Sequence, residues 1–253
     1  ALMASIRHPA KVAGKKAAII GGGPTGIAAA YFLGRAGVET TIFEREQCLG
    51  GVPRHVIPAF RITNEAIQKD IALMEKYGVE VRCGAPAPSV AELKAMGYTH
   101  ILYAVGAWKP GQLGIPGDVA GAIQWMKGVK AGNISVGGNV AVVGAGNVAM
   151  DAVRTAKRLG AEHAIIAYRR TEDEMPCRRA ELHHAKAEGV EVLPLVSPLE
   201  FVAGEDGSVC AVKVQKMELG EPDESGRRRP VPIEGAIEEL PCDVAISAIG
   251  TNA

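Results

Sequence analysis

The stretch from Ala17 to Glu46, AAIIGGGPTGIAAAYFLGRAGVETTIFERE, constrains the fold more than any other part of the chain. A short apolar run, Ala17 to Ile20, leads directly into Gly21-Gly22-Gly23-Pro24-Thr25-Gly26. An apolar helical pattern follows through Ile27, Ala28, Ala30, Phe32 and Leu33, and Gly37 ends it. Val38 to Phe43 then reads as a second strand closing on Glu44. Strand, glycine turn, helix, strand and acid within about 30 residues is the pattern of a dinucleotide-binding unit. Gly21 permits the turn off the strand, Gly23 lets backbone approach a pyrophosphate, and Gly26 lets the helix pack closely on the sheet. The helix start, with Pro24 and Thr25 in its first turn, offers unpaired N–H groups and a positive dipole end to phosphates. Glu44 lies eighteen positions after Gly26, where its carboxylate can accept hydrogen bonds from ribose hydroxyls.

The pattern returns at Asn139, in NVAVVGAGNVAMDAVRTAKRLGAEHAIIAYRR. Gly144-Ala145-Gly146-Asn147-Val148-Ala149 has alanine in the third place, which still allows close packing of helix on sheet. The closing residues differ: Arg169-Arg170 stands where the first unit has its acid. A carboxylate there favours free ribose hydroxyls and repels a 2′-phosphate, whereas guanidiniums bind phosphate through charge-assisted, often bidentate bonds. The first unit should therefore hold an adenosine with free hydroxyls, such as that of FAD. The second should prefer NADP over NAD, with Arg178 as a further phosphate contact.

The intervening segments carry weaker signals. Gly50-Gly51 frees the backbone to pass near a ligand, followed by Ile57-Pro58-Ala59-Phe60-Arg61. Asn64 reads as the cap of a helix from Glu65 to Tyr77, and Val79 to Cys83 and His100 to Ala104 read as strands. Ala104-Val105-Gly106 and Ala248-Ile249-Gly250 are small-residue ends of strands, of which Asp243 to Ala248 reads as buried. The glycine- and proline-rich run from Gly111 to Gly117 places a domain boundary near 113/114. Beyond it, Val209 to Leu219 and Arg229 to Ile233 alternate as antiparallel strands across the turn Gly220 to Gly226.

Composition narrows the class. Lys plus Arg equals Asp plus Glu at 28 each, which argues against a broad nucleic-acid or acidic-membrane surface. No apolar run reaches membrane-span length, and the start lacks a signal-peptide core. Cys48, Cys83, Cys177, Cys210 and Cys242 are scattered, without C-x-x-C or metal-ligand spacing. That arrangement fits a reducing, cytoplasmic compartment and speaks against disulfide-reductase chemistry.

The two glycine loops with their opposite strand ends resemble two-dinucleotide flavoprotein reductases. Gly50-Gly51, Ile57 to Arg61, Gly106-Ala107-Trp108-Lys109-Pro110 and Tyr168-Arg169-Arg170 narrow the resemblance to the glutamate synthase small (beta) subunit family, with the related half of dihydropyrimidine dehydrogenase. The run from Met217 to Val231 is similar to that of selenate reductase iron–sulfur subunits. The resemblance implies an α/β fold of two Rossmann-like domains, for FAD and NADPH, with the NADPH domain inserted in the FAD domain. On this chain these are residues 1–113 and 114–253, the FAD domain being truncated at its C-terminal end. Gly21, Gly23, Gly26, Glu44, Gly51 and Arg61 would contact FAD, and Gly144, Gly146, Asn147, Arg169 and Arg170 would contact NADPH. Ala104 to Gly106 and Ala248 to Gly250 would cross near the cofactors.

The implied activity passes hydride from NADPH to FAD and electrons on to iron–sulfur clusters. Those clusters would belong to missing domains: an iron–sulfur domain or subunit upstream, and a downstream reductase or synthase domain as partner. The chain thus reads as the middle of a larger protein. Hydride transfer requires no acid–base side chain, so none is nominated. The competing expectation is a nucleotide-binding or docking module without turnover.

Overall fold

The structure, a computed structural model, describes residues 9–222, 224, 226 and 228–252. Most of the lead-in before Gly14, parts of the turn from Gly220 to Gly226, and Arg227 lie outside the described residues. Two compact units result, one ending at Ala107 and the other beginning at Trp108. The segment from Trp108 to Leu113, grouped with the first domain on sequence, falls with the second unit.

In the first unit β1 (Lys16–Ile20) is followed by α1 (Pro24–Arg35), β2 (Glu39–Glu44), α2 (Gly51–His55) and α3 (Asn64–Glu75). β3 (Glu80–Cys83), α4 (Val90–Ala95) and β4 (His100–Tyr103) complete it. The strands form a parallel sheet in the order β3-β2-β1-β4. Alternation along β1 and β2 sends side chains to opposite faces. Ile19 and Ile42 meet Ala30 of α1 and Ile67, Ile71 and Met74 of α3. Ala18 and Phe43 meet Leu93 of α4 and Tyr98. Burying each large apolar side chain contributes roughly 1.5–3 kcal/mol, so both faces are needed to hold so small a sheet.

The α3 cap differs from expectation: Thr63, not Asn64, occupies it, its Oγ1 accepting the Ala66 N–H at 3.3 Å. Both residue types cap well, and the extended backbone at Thr63 decides which one does.

The second unit opens with β5 (Lys109–Pro110), β6 (Ala120–Gly121) and α5 (Ala122–Lys130). Then come β7 (Asn139–Val143), α6 (Asn147–Arg158), β8 (His163–Tyr168), a 3₁₀ turn (Glu172–Glu174), α7 (Arg179–Ala187) and β9 (Glu191–Pro194). β10 (Val196–Ala203), β11 (Val209–Pro222), β12 (Arg228–Pro241), β13 (Val244–Ser247) and β14 (Thr251–Asn252) follow. A parallel sheet has the order β6-β13-β7-β8-β9, and β10-β11-β12 form an antiparallel sheet. Val196, Phe201, Val212 and Val214 of the antiparallel sheet share a core with Ala141, Val143 and Ala167 of the parallel one. β5 and β14 pair antiparallel.

β12 runs to Pro241, well past the Ile233 end expected on sequence. Pro230, Pro232 and Gly235 read locally as breakers, but an edge strand tolerates proline because its outward N–H is not needed for the ladder. α6 and α7 are joined by ion pairs: Arg154, only 6% exposed, donates to Glu181 at 3.1 Å and Glu188 at 2.7 Å. Arg158 also reaches Glu188 at 2.7 Å. Among the described residues no helix is long and apolar enough to cross a membrane.

Candidate functional site: two glycine cradles

Each glycine turn links a strand to a helix whose N-cap is glycine: β1 to α1 with Gly23, and β7 to α6 with Gly146. Neither cap makes a side-chain hydrogen bond, and neither first turn holds an acid. Both helix starts therefore keep their N–H groups and positive dipole end for an external anion.

At the first cradle, a Cβ on Gly26 would overlap the Gly21 carbonyl oxygen, so only glycine lets α1 sit this close to the turn. Pro24 and Thr25 lie exposed in the first turn of α1. The Gly50 N–H donates to the Gly22 carbonyl at 2.8 Å and draws Gly50-Gly51 onto the turn. A Cβ on Gly51 would come within 2.7 Å of the Gly23 Cα.

Glu44, at the end of β2, is buried. Its Oε2 accepts the Gly22 N–H at 2.6 Å and its Oε1 the Glu46 N–H at 2.9 Å. A carboxylate has about four acceptor positions, so room remains for ribose hydroxyls. Ala104 continues β4 beside the turn, its N–H bonded to Ile20 at 2.8 Å, and Val105 and Gly106 are exposed after it. Arg61 stands in the loop before α3, 5.7 Å from the Phe60 ring. These features fit a dinucleotide with free ribose hydroxyls.

The second cradle borders a cavity of about 690 Å³. Gly144, at φ +126°, has no room for a side chain, since a Cβ would lie 2.5 Å from the Ala248 carbonyl oxygen. A Cβ on Gly146 would meet nothing within 4 Å, so its backbone faces open space. Asn147 and Val148 begin α6 and line the cavity with Ala248, Ile249 and Gly250. Arg169 and Arg170 line it too, and among the described residues no carboxylate does. A phosphorylated nucleotide fits this lining.

The structure separates the two arginines that sequence treated alike. Arg169 is exposed and makes no hydrogen bond or ion pair among the described residues. Arg170 is 7% exposed, and its Nε donates to the Arg228 carbonyl at 2.8 Å. Arg178 is exposed outside this lining, but its N–H donates to Asn147 Oδ1 at 3.1 Å. The Cys177 N–H donates to Ala145 at 3.2 Å, so the loop before α7 is tied to the glycine turn.

One wall escaped the sequence reading. Val196, Ser197 and Pro198 line the cavity after Leu195, the only non-glycine described residue at positive φ, +57°. Arg170 accepts the Leu195 N–H at 3.1 Å, and Leu195 accepts that of Met217 at 2.8 Å, holding this strained conformation. Nothing in the local sequence marks it.

Residues 15–253 match the family described as pyridine nucleotide-disulphide oxidoreductase. The protein YgfK of Escherichia coli K12 is 42% identical over 250 residues, which are 96% of this chain and 23% of YgfK. The beta subunit of NADP(+)-dependent formate dehydrogenase from Moorella thermoacetica is 38% identical, over 96% of this chain and 36% of that protein. The small chain of NADPH glutamate synthase from E. coli K12 is 34% identical, over 95% and 55%. The chain thus spans from about a quarter to just over half of these relatives. Mycobacterium tuberculosis FprA in complex with NADPH shares the fold, with a TM-score of 0.77 at 20% identity, over 94% of this chain and 71% of FprA.

Proposed function

This chain belongs to the pyridine nucleotide-disulphide oxidoreductase family, and on that premise we propose that it is the NADPH- and FAD-binding module of an electron-transfer enzyme. The first unit is assigned to FAD and the second to NADPH. The observation that carries the assignment is the contrast between buried Glu44 beside one glycine turn and Arg169 and Arg170 beside the other.

When bound, NADPH supplies a hydride and FAD accepts it and releases electrons singly. The chain's own part is to bind and orient. The α1 and α6 N-termini would hold the two pyrophosphates, and Glu44 would accept the flavin-side ribose hydroxyls. Arg169 and Arg170 would engage the 2′-phosphate, with Asn147 at the nicotinamide-side pyrophosphate. Ala104 to Gly106 and Ala248 to Gly250 would place backbone against the cofactors, and Arg61 would support the flavin. Relatives named as a subunit beta and a small chain support onward transfer to a partner subunit, and the sequence resemblance makes that partner an iron–sulfur one. Five free thiols suit a reducing, cytoplasmic setting. Selenate is one terminal acceptor to try, from the likeness of Met217 to Val231.

The test is spectroscopic. Full-length protein should purify yellow and oxidise NADPH when given an artificial electron acceptor. Colourless protein that binds NADP without turnover, even after FAD is supplied, would favour a binding module instead.

A further inference from the structure

We propose that Arg228 on β12 is a positioning residue for nucleotide specificity, acting through Arg170; this rests on the NADPH assignment above. The two residues are 58 positions apart and meet through one bond, from Arg170 Nε to the Arg228 carbonyl. A guanidinium is a rigid planar fork, so fixing Nε fixes the plane of all five donors. The terminal nitrogens of Arg170 make no hydrogen bond among the described residues, and the residue lines the nucleotide cavity. The bond to Arg228 therefore sets how that free edge is presented to a phosphate.

The Arg228 carbonyl is held in place by its own side chain. Arg228 Nε donates to the Gly220 carbonyl at 3.1 Å and Nη2 to the Leu219 carbonyl at 2.8 Å, both across the hairpin on β11. Leu219 pairs with Pro230 and Pro222 with Arg228, and the register shifts between them. The two bonds from the Arg228 side chain tie β12 to β11 where the register shifts, holding in place the strand whose carbonyl orients Arg170. The β11–β12 hairpin thereby becomes part of the specificity device without touching the nucleotide.

The experiment is calorimetric titration of the full-length protein with adenosine 2′,5′-bisphosphate and with 5′-AMP. The wild type should bind the bisphosphate more tightly, and Arg170→Ala should remove much of that preference. Arg228→Ala should weaken the bisphosphate roughly tenfold, the size of one charged hydrogen bond put out of line. Affinity for 5′-AMP should stay within about twofold, and Arg228→Lys, which keeps donors for the two carbonyls, should recover most of the loss. Equal wild-type affinity for both ligands would overturn the NADPH assignment and this inference with it. If Arg170→Ala behaves as expected but Arg228→Ala matches the wild type, or weakens both ligands equally, only this inference falls.

Discussion

Replacing Glu188 with glutamine tests how the second cradle is supported. Glu188 follows α7 and accepts from Arg158 and Arg154, which hold its carboxyl well below the ordinary 4.5, at about 2. At about 1.4 kcal/mol for each tenfold change in proton affinity, that depression sets a ceiling of roughly 3 kcal/mol. Glu188 keeps 23% of its side chain in solvent and Arg158 keeps 47%. Screening therefore reduces the expected contribution to about 2 kcal/mol.

The sign follows from the lowered folded-state value. The contribution is full above the unfolded carboxyl's range and is lost as pH falls from about 5 towards 2. Urea unfolding followed by Trp125, which is buried on α5, reads the second unit. Glu188→Gln should lower stability at pH 7 by about 2 kcal/mol and flatten the decline between pH 5 and pH 3. An unchanged midpoint at pH 7, with the wild-type acid slope retained, would refute the reasoning.

Other expectations follow from single contacts. Gly26→Ala, whose Cβ would overlap the Gly21 carbonyl, should destabilise the first unit by about 1–3 kcal/mol and strip flavin absorbance, with NADP binding by the second unit retained. Burial pushes the Cys242 thiol up to about 11, whereas Cys210 is exposed. A thiol reagent at pH 8 should therefore label Cys210 quickly and Cys242 only on unfolding; rapid labelling of native Cys242 would contradict the described core. Thr63→Ala should cost about 1 kcal/mol by urea unfolding, while Asn64→Ala should be nearly neutral if the cap is as described.

The cradles were legible because each is a local device: turn, helix and strand end lie within about 30 residues, so Gly21 to Glu44 and Gly144 to Arg170 announce themselves. What sequence could not show is long-range. Nothing local pairs Arg154 with Glu181 and Glu188, or brings Arg170 to the Arg228 carbonyl. The length of β12 was hidden because Pro230 and Pro232 carry opposite meanings at an edge and in a central strand. Thr63 against Asn64 was a contest between equivalent caps, settled by backbone conformation.

The central claim is that opposite charges at the two strand ends assign the cofactors. Its most direct measurement is kcat/KM for NADPH and NADH in the flavin-loaded full-length protein, before and after Arg169→Ala. The wild type should favour NADPH at least tenfold, and the variant should lose roughly tenfold with NADPH and little with NADH. Equal rates with the two cofactors, or an equal loss of both in the variant, would contradict it.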